Sequence, residues 1–174
     1  MTTLSGPRTI VLMGMMGAGK STIGRALAAS TGWRYMDNDE LVRAATGRAP
    51  EEIDAVDGTD ALHAAELEAL RHALSLPGPL VAGAAAVVVT DPASVERLHE
   101  AFVVYLRAQP ESLRARIGAG VGRREDATDL TWLRARHDER DARFADVADL
   151  TIDTDRTPVE GVVRAVLAAI ELDG

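Results

Sequence analysis

Short apolar runs and amphipathic segments alternate along this chain. Continuous apolar runs predict buried strands at Thr9–Met13 and Phe102–Leu106. Shorter runs predict three more strands, at Trp33–Met36, Leu80–Ala82 and Leu150–Asp153. Because strands that alternate with helices form parallel sheets covered on both faces, the pattern predicts an α/β fold with a five-stranded parallel sheet.

Segments with apolar residues at helical spacing separate these strands. They predict helices at Lys20–Thr31, Asp39–Ala45, Thr59–Leu76, Glu111–Ile117, Leu130–Phe144 and Pro158–Leu172. The stretch from Gly118 to Asp129 is rich in glycine and arginine and has almost no apolar residue to bury, so we expect a mobile lid there. With 174 residues and no repeat or linker, residues 1–174 predict a single domain.

Composition narrows the classes of partner. The chain has 19 basic and 27 acidic residues and a net charge of −8, which disfavours non-specific binding to nucleic acid or to an anionic membrane. No apolar run is long enough to span a membrane, and no secretory signal is evident, so we expect a cytoplasmic protein. The absence of cysteine excludes disulfides, thiolate catalysis and Cys-ligated zinc. Small size and the expected lid favour a monomer.

A phosphate-binding loop follows the first predicted strand. The sequence GMMGAGKST from Gly14 to Thr22 matches G-x-x-x-x-G-K-[ST] between a strand and a helix. Glycines there let successive N–H groups surround a phosphate, Lys20 supplies charge for the β- and γ-phosphates, and the Ser21 hydroxyl suits Mg²⁺. Lys20 is also the one lysine among the 19 basic residues. The alternative is a glycine turn before an ordinary helix. We predict phosphate contacts from Met16, Gly17, Ala18, Gly19, Lys20, Ser21 and Thr22.

Two aspartates follow the second predicted strand, in Asp37-Asn38-Asp39-Glu40. The carboxyl ends of parallel strands face the ligand crevice, which places Asp37 and Asp39 near the phosphates. One carboxylate is suited to hold metal-bound water and the other to orient an attacking hydroxyl. The alternative is that Asp37 or Asn38 caps the following helix. Beside a phosphate loop we favour the functional interpretation.

Taken together, the motifs resemble the shikimate kinase family. The resemblance rests on GMMGAGKSTIGRALA, DNDELV, ATGR, FVVYL, ERDARFADVAD and IDTDRTPVEGVVRAVL, in order from about residue 9 to residue 170. It implies a three-layer P-loop kinase fold with strand order 2-3-1-4-5 and an arginine-bearing lid. It also implies ATP and Mg²⁺ as cofactors, and transfer of the γ-phosphate to a hydroxyl of a small acceptor that carries a carboxylate.

The resemblance assigns nucleotide-side roles by position. Lys20, Ser21 and the loop amides look like the ATP and Mg²⁺ ligands, and Asp37 resembles the aspartate on the Mg²⁺ side. Arg116 resembles an adenine-stacking residue. The turn that contains Asp155, Arg156, Thr157 and Pro158 resembles the adenine-side loop.

The acceptor side is assigned in the same way. Asp39 resembles the aspartate that holds the acceptor hydroxyl, and Arg140 resembles one of two arginines that clamp the acceptor carboxylate. Arg123, or its neighbour Arg124, falls where the lid arginine closes over the transferred phosphoryl group. For every one of these arginines, the alternative is a solvated helix face.

Departures from the family pattern concentrate on the acceptor side. His63 stands where the second carboxylate-binding arginine is expected, although it also fits an inert helix face. Gly83-Ala84-Ala85-Ala86 replaces a three-glycine turn, with Ala85 as a candidate substrate contact, and Ala142-Arg143-Phe144 replaces Pro-Leu-Tyr. Because histidine is mostly neutral near pH 7 and alanine resists positive φ, we expect shikimate to bind weakly or the acceptor to differ.

Three functions remain in view. The first is a shikimate kinase-like enzyme acting on shikimate or on a related polyol, cyclitol or sugar acid. A gluconate-type sugar acid kinase is its enzymatic neighbour. The third belongs to another class, a nucleotide-binding pseudokinase or regulatory module that turns over no acceptor.

Overall fold

The computed structural model describes residues 9–118 and 129–172. Five strands lie in these residues: β1 (Thr9–Met13), β2 (Arg34–Met36), β3 (Leu80–Gly83), β4 (Phe102–Arg107) and β5 (Leu150–Asp153). The helices are α1 (Lys20–Thr31), α2 (Asn38–Thr46), α3 (Pro50–Asp57), α4 (Thr59–Ser75), α5 (Pro92–Leu98), α6 (Pro110–Gly118), α7 (Leu130–Val147) and α8 (Val159–Leu172). A 3₁₀ helix spans Ala86–Thr90.

All five strands form one parallel sheet in the order β2-β3-β1-β4-β5. Both the parallel sheet and its strand order were predicted and are confirmed. At the centre of the sheet β1 pairs with β3 through Ile10 and Val81, and with β4 through Val11 and Val103. Every residue of β1 is buried, as a continuous apolar run in a doubly covered sheet requires.

Two short helices, α3 and α5, were not predicted. Each begins with a proline, Pro50 or Pro92, at its first helical position. Proline interrupts a helical pattern but is favoured at this position, where its missing N–H would have no partner within the helix. The sequence pattern alone therefore made Pro50 a boundary between helices rather than the start of one.

The core has a large and a small part. The large part surrounds β1 and β4 and includes Tyr105 and Phe144, both buried. The small part lies beneath α2 and α4 and contains Leu41, Val42, Ile53, Ala65, Ala69, Ala73, Leu80 and Ala82. Three alanines at four-residue spacing line the buried face of α4, and small side chains allow helices to pack closely.

Segments that follow the strands at the carboxyl edge of the sheet carry several of the predicted site residues and their neighbours. The phosphate loop leaves β1, Asp37 follows β2, Ala84 follows β3, and Thr154 follows β5. This edge is where ligands bind in open α/β sheets. No helix in the described ranges is long and apolar enough to cross a membrane. Of the predicted lid, residues 119–128 lie outside the described residues, and with them Arg123 and Arg124.

Candidate active site

The phosphate loop is built on glycines with positive φ. Gly14, Gly17 and Gly19 have φ values of 150°, 85° and 102°. A Cβ at Gly14 would lie 2.6 Å from the Leu106 carbonyl oxygen, so the loop packs against β4 too closely for a side chain. A Cβ at Gly19 would meet no atom within 4 Å. The loop is therefore tight against the sheet and open on the side toward the start of α1.

The N-terminus of α1 has no side-chain cap. Gly19 occupies the N-cap position, and the first turn contains no acidic residue. The side chain of Lys20 folds back over the loop, where Nζ donates hydrogen bonds to the carbonyl oxygens of Gly14 at 2.7 Å and Met15 at 3.1 Å. Uncapped amides, the positive end of the helix dipole and a lysine together form an anion site.

A cavity of about 270 Å³ adjoins this loop. Its lining residues come from the phosphate loop, α1, α6, the segment after β5 and the start of α8: Ala18, Gly19, Thr22, Ile23, Arg116, Thr154, Thr157, Pro158, Val159 and Val162. Most of the lining is apolar or small, with Arg116 as its cationic side. This composition suits a flat, weakly polar ring attached to a phosphate chain, and it fits the predicted adenine side of the site.

Arg116 is held in place by several acceptors. Its Nη2 donates to the Thr154 carbonyl oxygen at 3.2 Å and to Asp155 Oδ1 at 3.0 Å, and Nη1 donates to Thr154 Oγ1 at 3.1 Å. The other Asp155 oxygen accepts the Gln109 N–H at 2.8 Å. Asp155 was predicted to contact the cofactor. Both of its carboxylate oxygens instead accept hydrogen bonds from the protein, and its link to the cavity is that it holds Arg116 in place.

Arg156 stands apart from the cavity. Its side chain is 87% exposed, and its Nε lies 3.6 Å from Asp153 Oδ2. Of the predicted adenine-side turn, the cavity is lined by Thr157 and Pro158, with Thr154 immediately before it. Thr154 was missed because a lone threonine after a strand gives no specific signal.

Asp37 caps α2. Its Oδ1 accepts the Glu40 N–H at 2.8 Å, and Glu40 Oε2 accepts the Asp37 N–H at 3.2 Å, which forms a complete capping box. The capping alternative raised from the sequence is thus what the structure has for this residue. The cap uses Oδ1 of the carboxylate, and the metal-side role of Asp37 stays a prediction.

Tyr35 lies between the phosphate loop and Asp37, and sequence reasoning missed it. Its ring occupies the space beside Gly24, where a Cβ would come within 2.1 Å of Tyr35 Cε2. Burial raises the pKa of the Tyr35 phenol, the Ser21 hydroxyl opposes that rise, and the charge of Asp37 adds to it. Ser21 and Asp37, the two predicted metal ligands, therefore both lie near one buried phenol.

The predicted acceptor side combines α2, α4 and α7. Asn38 Nδ2 donates to Glu66 Oε1 at 3.5 Å, which links α2 to α4. Arg140 of α7 is half-buried, and its buried Nε has no hydrogen-bond partner. Burial lowers the pKa of Arg140, while the charges of Glu139 and Glu66 counteract that effect. Glu66 is thus close enough to Arg140 to stabilise its charge, and the sequence had given no reason to single it out.

His63 shares the inner face of α4 with Glu66, because the two residues are three positions apart and both are half-buried. His63 therefore does not lie on a fully solvated face of α4, and its contact with the acceptor stays a prediction. Asp39 lies in the first turn of α2, next to Asn38, and is half-buried as well. Among the residues that the structure describes, no three or more His, Asp or Glu side chains lie together in a group that could hold a metal ion.

The alanine turn is not strained. No non-glycine residue in the described ranges has positive φ, so Ala84, Ala85 and Ala86 adopt ordinary backbone angles. Ala84 is buried in the core and donates its N–H to the Leu12 carbonyl oxygen at 3.0 Å. The alanines thus avoid positive φ, as their Cβ atoms favour, and the expected obstruction of the acceptor by this turn stays a prediction.

Comparison with known proteins gives one family. The shikimate kinase family model matches residues 16–171. A shikimate kinase of Streptomyces coelicolor is 37% identical over 166 residues, covering 94% of this chain and 95% of the relative.

Solved structures agree with this match. Shikimate kinase from Acinetobacter baumannii in complex with shikimate has a TM-score of 0.80 and 27% identity, covering 94% of this chain and 93% of that one. A gluconokinase from Sinorhizobium meliloti has a TM-score of 0.62 and 20% identity, covering 96% and 94%, and so shares the fold alone. The family-model match over residues 16–171 and the relative that is 37% identical over 94% of the chain show that this kinase belongs to the shikimate kinase family.

Proposed function

We propose that this kinase transfers the γ-phosphoryl group of ATP to a hydroxyl of shikimate, and that it holds this acceptor less tightly than a site with two arginine anchors would. The observation that carries the proposal is the pairing of two sites at one edge of the sheet. One is the uncapped phosphate loop, and the other is the region between α4 and α7 where the half-buried Arg140 lies near Glu66. Family membership favours ATP and shikimate as the ligands of these sites.

On the nucleotide side, Lys20 is the group that moves. In the structure its Nζ is bound to two loop carbonyls, which keeps the ammonium above the cradle formed by Gly17 and Gly19. We infer that Nζ exchanges these contacts for β- and γ-phosphate oxygens. The open space at Gly19 fits a phosphate, since a side chain there would fill the cradle.

Magnesium fits the chemistry of the donors near Tyr35. Ser21 offers a hydroxyl oxygen and Asp37 a carboxylate oxygen, and Mg²⁺ prefers hard oxygen ligands. When bound with ATP, Mg²⁺ neutralises charge on the phosphates. Asp37 Oδ1 remains with the helix cap, so Oδ2 is the atom that we assign to the metal side.

On the acceptor side, we infer that the residues orient the acceptor and accept a hydrogen bond from its hydroxyl. We assign Asp39 to accept the hydrogen bond of the attacking hydroxyl, so that a lone pair of that oxygen is directed at the γ-phosphorus. Arg140 binds the carboxylate, and His63 supplies at most one further hydrogen bond to it. Arg123 or Arg124 of the proposed lid completes the charge neutralisation of the transferred group.

A coupled ADP-release assay tests the proposal. The purified kinase, ATP and Mg²⁺ are offered shikimate, gluconate and a panel of polyols and hydroxy acids, and the phosphorylated product is identified by mass spectrometry. We expect turnover with shikimate at a KM well above that for ATP. Losing one of two charge-assisted anchors weakens binding by roughly ten- to a hundred-fold, which sets the scale of the effect.

Other outcomes would overturn the proposal. Preferred turnover of another acceptor would assign a different sugar acid or cyclitol, and ATP binding without turnover of any acceptor would favour a nucleotide-binding regulatory module. Tight and efficient use of shikimate would leave the reaction intact and show that His63 costs little. We also propose a monomer that works in the cytoplasm, with sedimentation and localisation of a tagged chain as the measurements.

A further inference from the structure

A polar cluster joins the end of β4 to the middle of α7. It consists of Tyr105, Arg107, His137 and Asp141, and we call it the α7 anchor. Tyr105 Oη donates to Asp141 Oδ1 at 2.8 Å, and Arg107 Nη2 donates to Asp141 Oδ2. His137 Nε2 lies 3.8 Å from Asp141 Oδ1. The Asp141 and His137 side chains are only 18% and 12% exposed, whereas that of Arg107 is 43% exposed, so the cluster reaches from the interior to the surface.

The protonation states of Asp141 and Tyr105 agree with the hydrogen bonds of the α7 anchor. Burial by itself would raise the pKa of Asp141, but the hydrogen bonds from Arg107 and Tyr105 hold that pKa below its usual value. Burial and the neighbouring Asp141 raise the pKa of the Tyr105 phenol. Near neutral pH the carboxylate is therefore ionised and the phenol is a hydrogen-bond donor, which is the arrangement that the distances show.

The α7 helix packs on the core through a narrow apolar face. All of its residues are described, and only Leu133 and Phe144 among them are fully buried. Phe144 lies three residues after Asp141, and its ring stacks on Tyr105 at a centroid distance of 4.8 Å. Tyr105 therefore provides both an apolar and a polar contact for the same turn of α7. A long helix with so narrow an apolar face depends on polar contacts for its exact position.

Arg140 lies on the same turn, immediately before Asp141. Successive side chains of a helix point about 100° apart, so Asp141 faces β4 while Arg140 faces α4 and Glu66. Arg140 itself has a buried Nε without a hydrogen-bond partner. Its location is therefore determined by how α7 is held rather than by contacts of that nitrogen.

We propose that Asp141 is a positioning residue for acceptor binding: by joining α7 to Tyr105 and Arg107 of β4, it fixes the turn that presents Arg140 to the acceptor. This inference rests on the proposed function, because it takes Arg140 as the carboxylate ligand. Asp141 touches neither substrate. Its loss lets the guanidinium shift relative to α4, and small misplacements of a binding group cost one to two orders of magnitude in a site of this kind.

Steady-state kinetics of the whole chain separate positioning from general destabilisation. We expect Asp141→Asn to raise the KM for shikimate about tenfold and to leave the KM for ATP within about twofold, because the phosphate loop lies on β1 and α1. Tyr105→Phe should give a smaller rise. The double variant should show a smaller effect than the sum of the two single effects, since both changes remove the same hydrogen bond. Asp146→Asn, an exposed carboxylate on the same helix, is the matched control and should change neither KM.

Two further measurements keep the outcomes apart. If Arg140→Ala raises the shikimate KM and Asp141→Asn does not, the positioning role is wrong and the proposed function stands. If Arg140→Ala changes nothing or shikimate is not turned over, the proposed function is wrong. Hydrogen exchange needs no acceptor: Asp141→Asn should speed amide exchange across the second half of α7 and leave α1 unchanged. Unchanged exchange in α7 would overturn the α7 anchor independently of activity.

Discussion

The nucleotide side and the acceptor side of this kinase both begin with a helix that follows a strand, but their N-termini differ. The first turn of α1 has a glycine N-cap, no side-chain cap and no acidic residue. The first turn of α2 is closed by a capping box between Asp37 and Glu40. Uncapped amides are a cost to an isolated helix, which a phosphate would offset on binding. The contrast indicates that α1 is built for an anion and α2 for a fixed position.

The two sides also differ in how far they follow the family pattern. Every element of the phosphate loop is present, with its single lysine already lying over the cradle. On the proposed acceptor side, His63 stands where the resemblance predicts an arginine, and an unstrained alanine turn stands where it predicts three glycines. The predicted nucleotide site therefore has a complete set of groups, whereas in the proposed function acceptor binding depends on Arg140 and on the contacts that position it.

The largest expected effect comes from the one lysine of the chain. Lys20→Arg should lower turnover by about a hundredfold or more, because a bulky planar guanidinium does not fit the cradle that holds a compact ammonium. Arg25→Lys, an exposed change on the same helix, is the control and should leave kinetics unchanged. ATP affinity and kcat are the measurements. Normal values for Lys20→Arg would contradict the assignment of the phosphate loop.

A pair of glycine substitutions at the two ends of α1 sharpens the comparison. Gly19 and Gly32 have φ values of 102° and 72°, and a Cβ would meet no atom within 4 Å at either. Both alanine variants should cost about 1 kcal/mol of folding free energy from backbone strain. Only Gly19→Ala should also weaken ATP binding, by about tenfold, because its methyl group would occupy the cradle. Calorimetric titration with ATP checks this, and equal affinities for both variants would count against it.

On the acceptor side a smaller change is expected from restoring a charge. His63→Arg should lower the KM for shikimate about threefold to tenfold without changing the KM for ATP, since a second guanidinium can bind the carboxylate. His72→Arg, on the same helix in its last turn, is the matched control. Kinetics with shikimate varied at saturating ATP are the measurement. A fall in the ATP KM instead would place His63 on the nucleotide side.

A further effect concerns folding stability, pH and the α7 anchor. The pKa of Asp141 is depressed in the folded protein, so its ionised form stabilises the fold above the pKa of the unfolded chain, near 4. That contribution is lost as the pH falls through the lower pKa of the folded state. Asp141→Asn should therefore cost about 2 kcal/mol at pH 7 and less near pH 3. Urea unfolding at the two pH values tests this, and an equal cost at both would show that the carboxylate charge is not what matters.

The sequence by itself determined the sheet, its strand order through the family resemblance, the phosphate loop and the identity of the altered acceptor residues. Apolar runs and glycine spacing are local signals, so they can be interpreted without knowing what lies across the sheet. Helices α3 and α5 were missed because a proline at the first helical position has the same sequence signal as a helix break.

Only the tertiary structure decided how residues far apart in the chain act together. It brought Asn38 to Glu66, set Tyr35 between Ser21 and Asp37, gave both oxygens of Asp155 to protein donors, and joined Asp141 to β4. These contacts join residues whose separation along the chain follows no periodic pattern. The side chains that make them are polar and would also be common on a protein surface. Burial decides what such a group must pair with, and burial is fixed by packing rather than by local sequence.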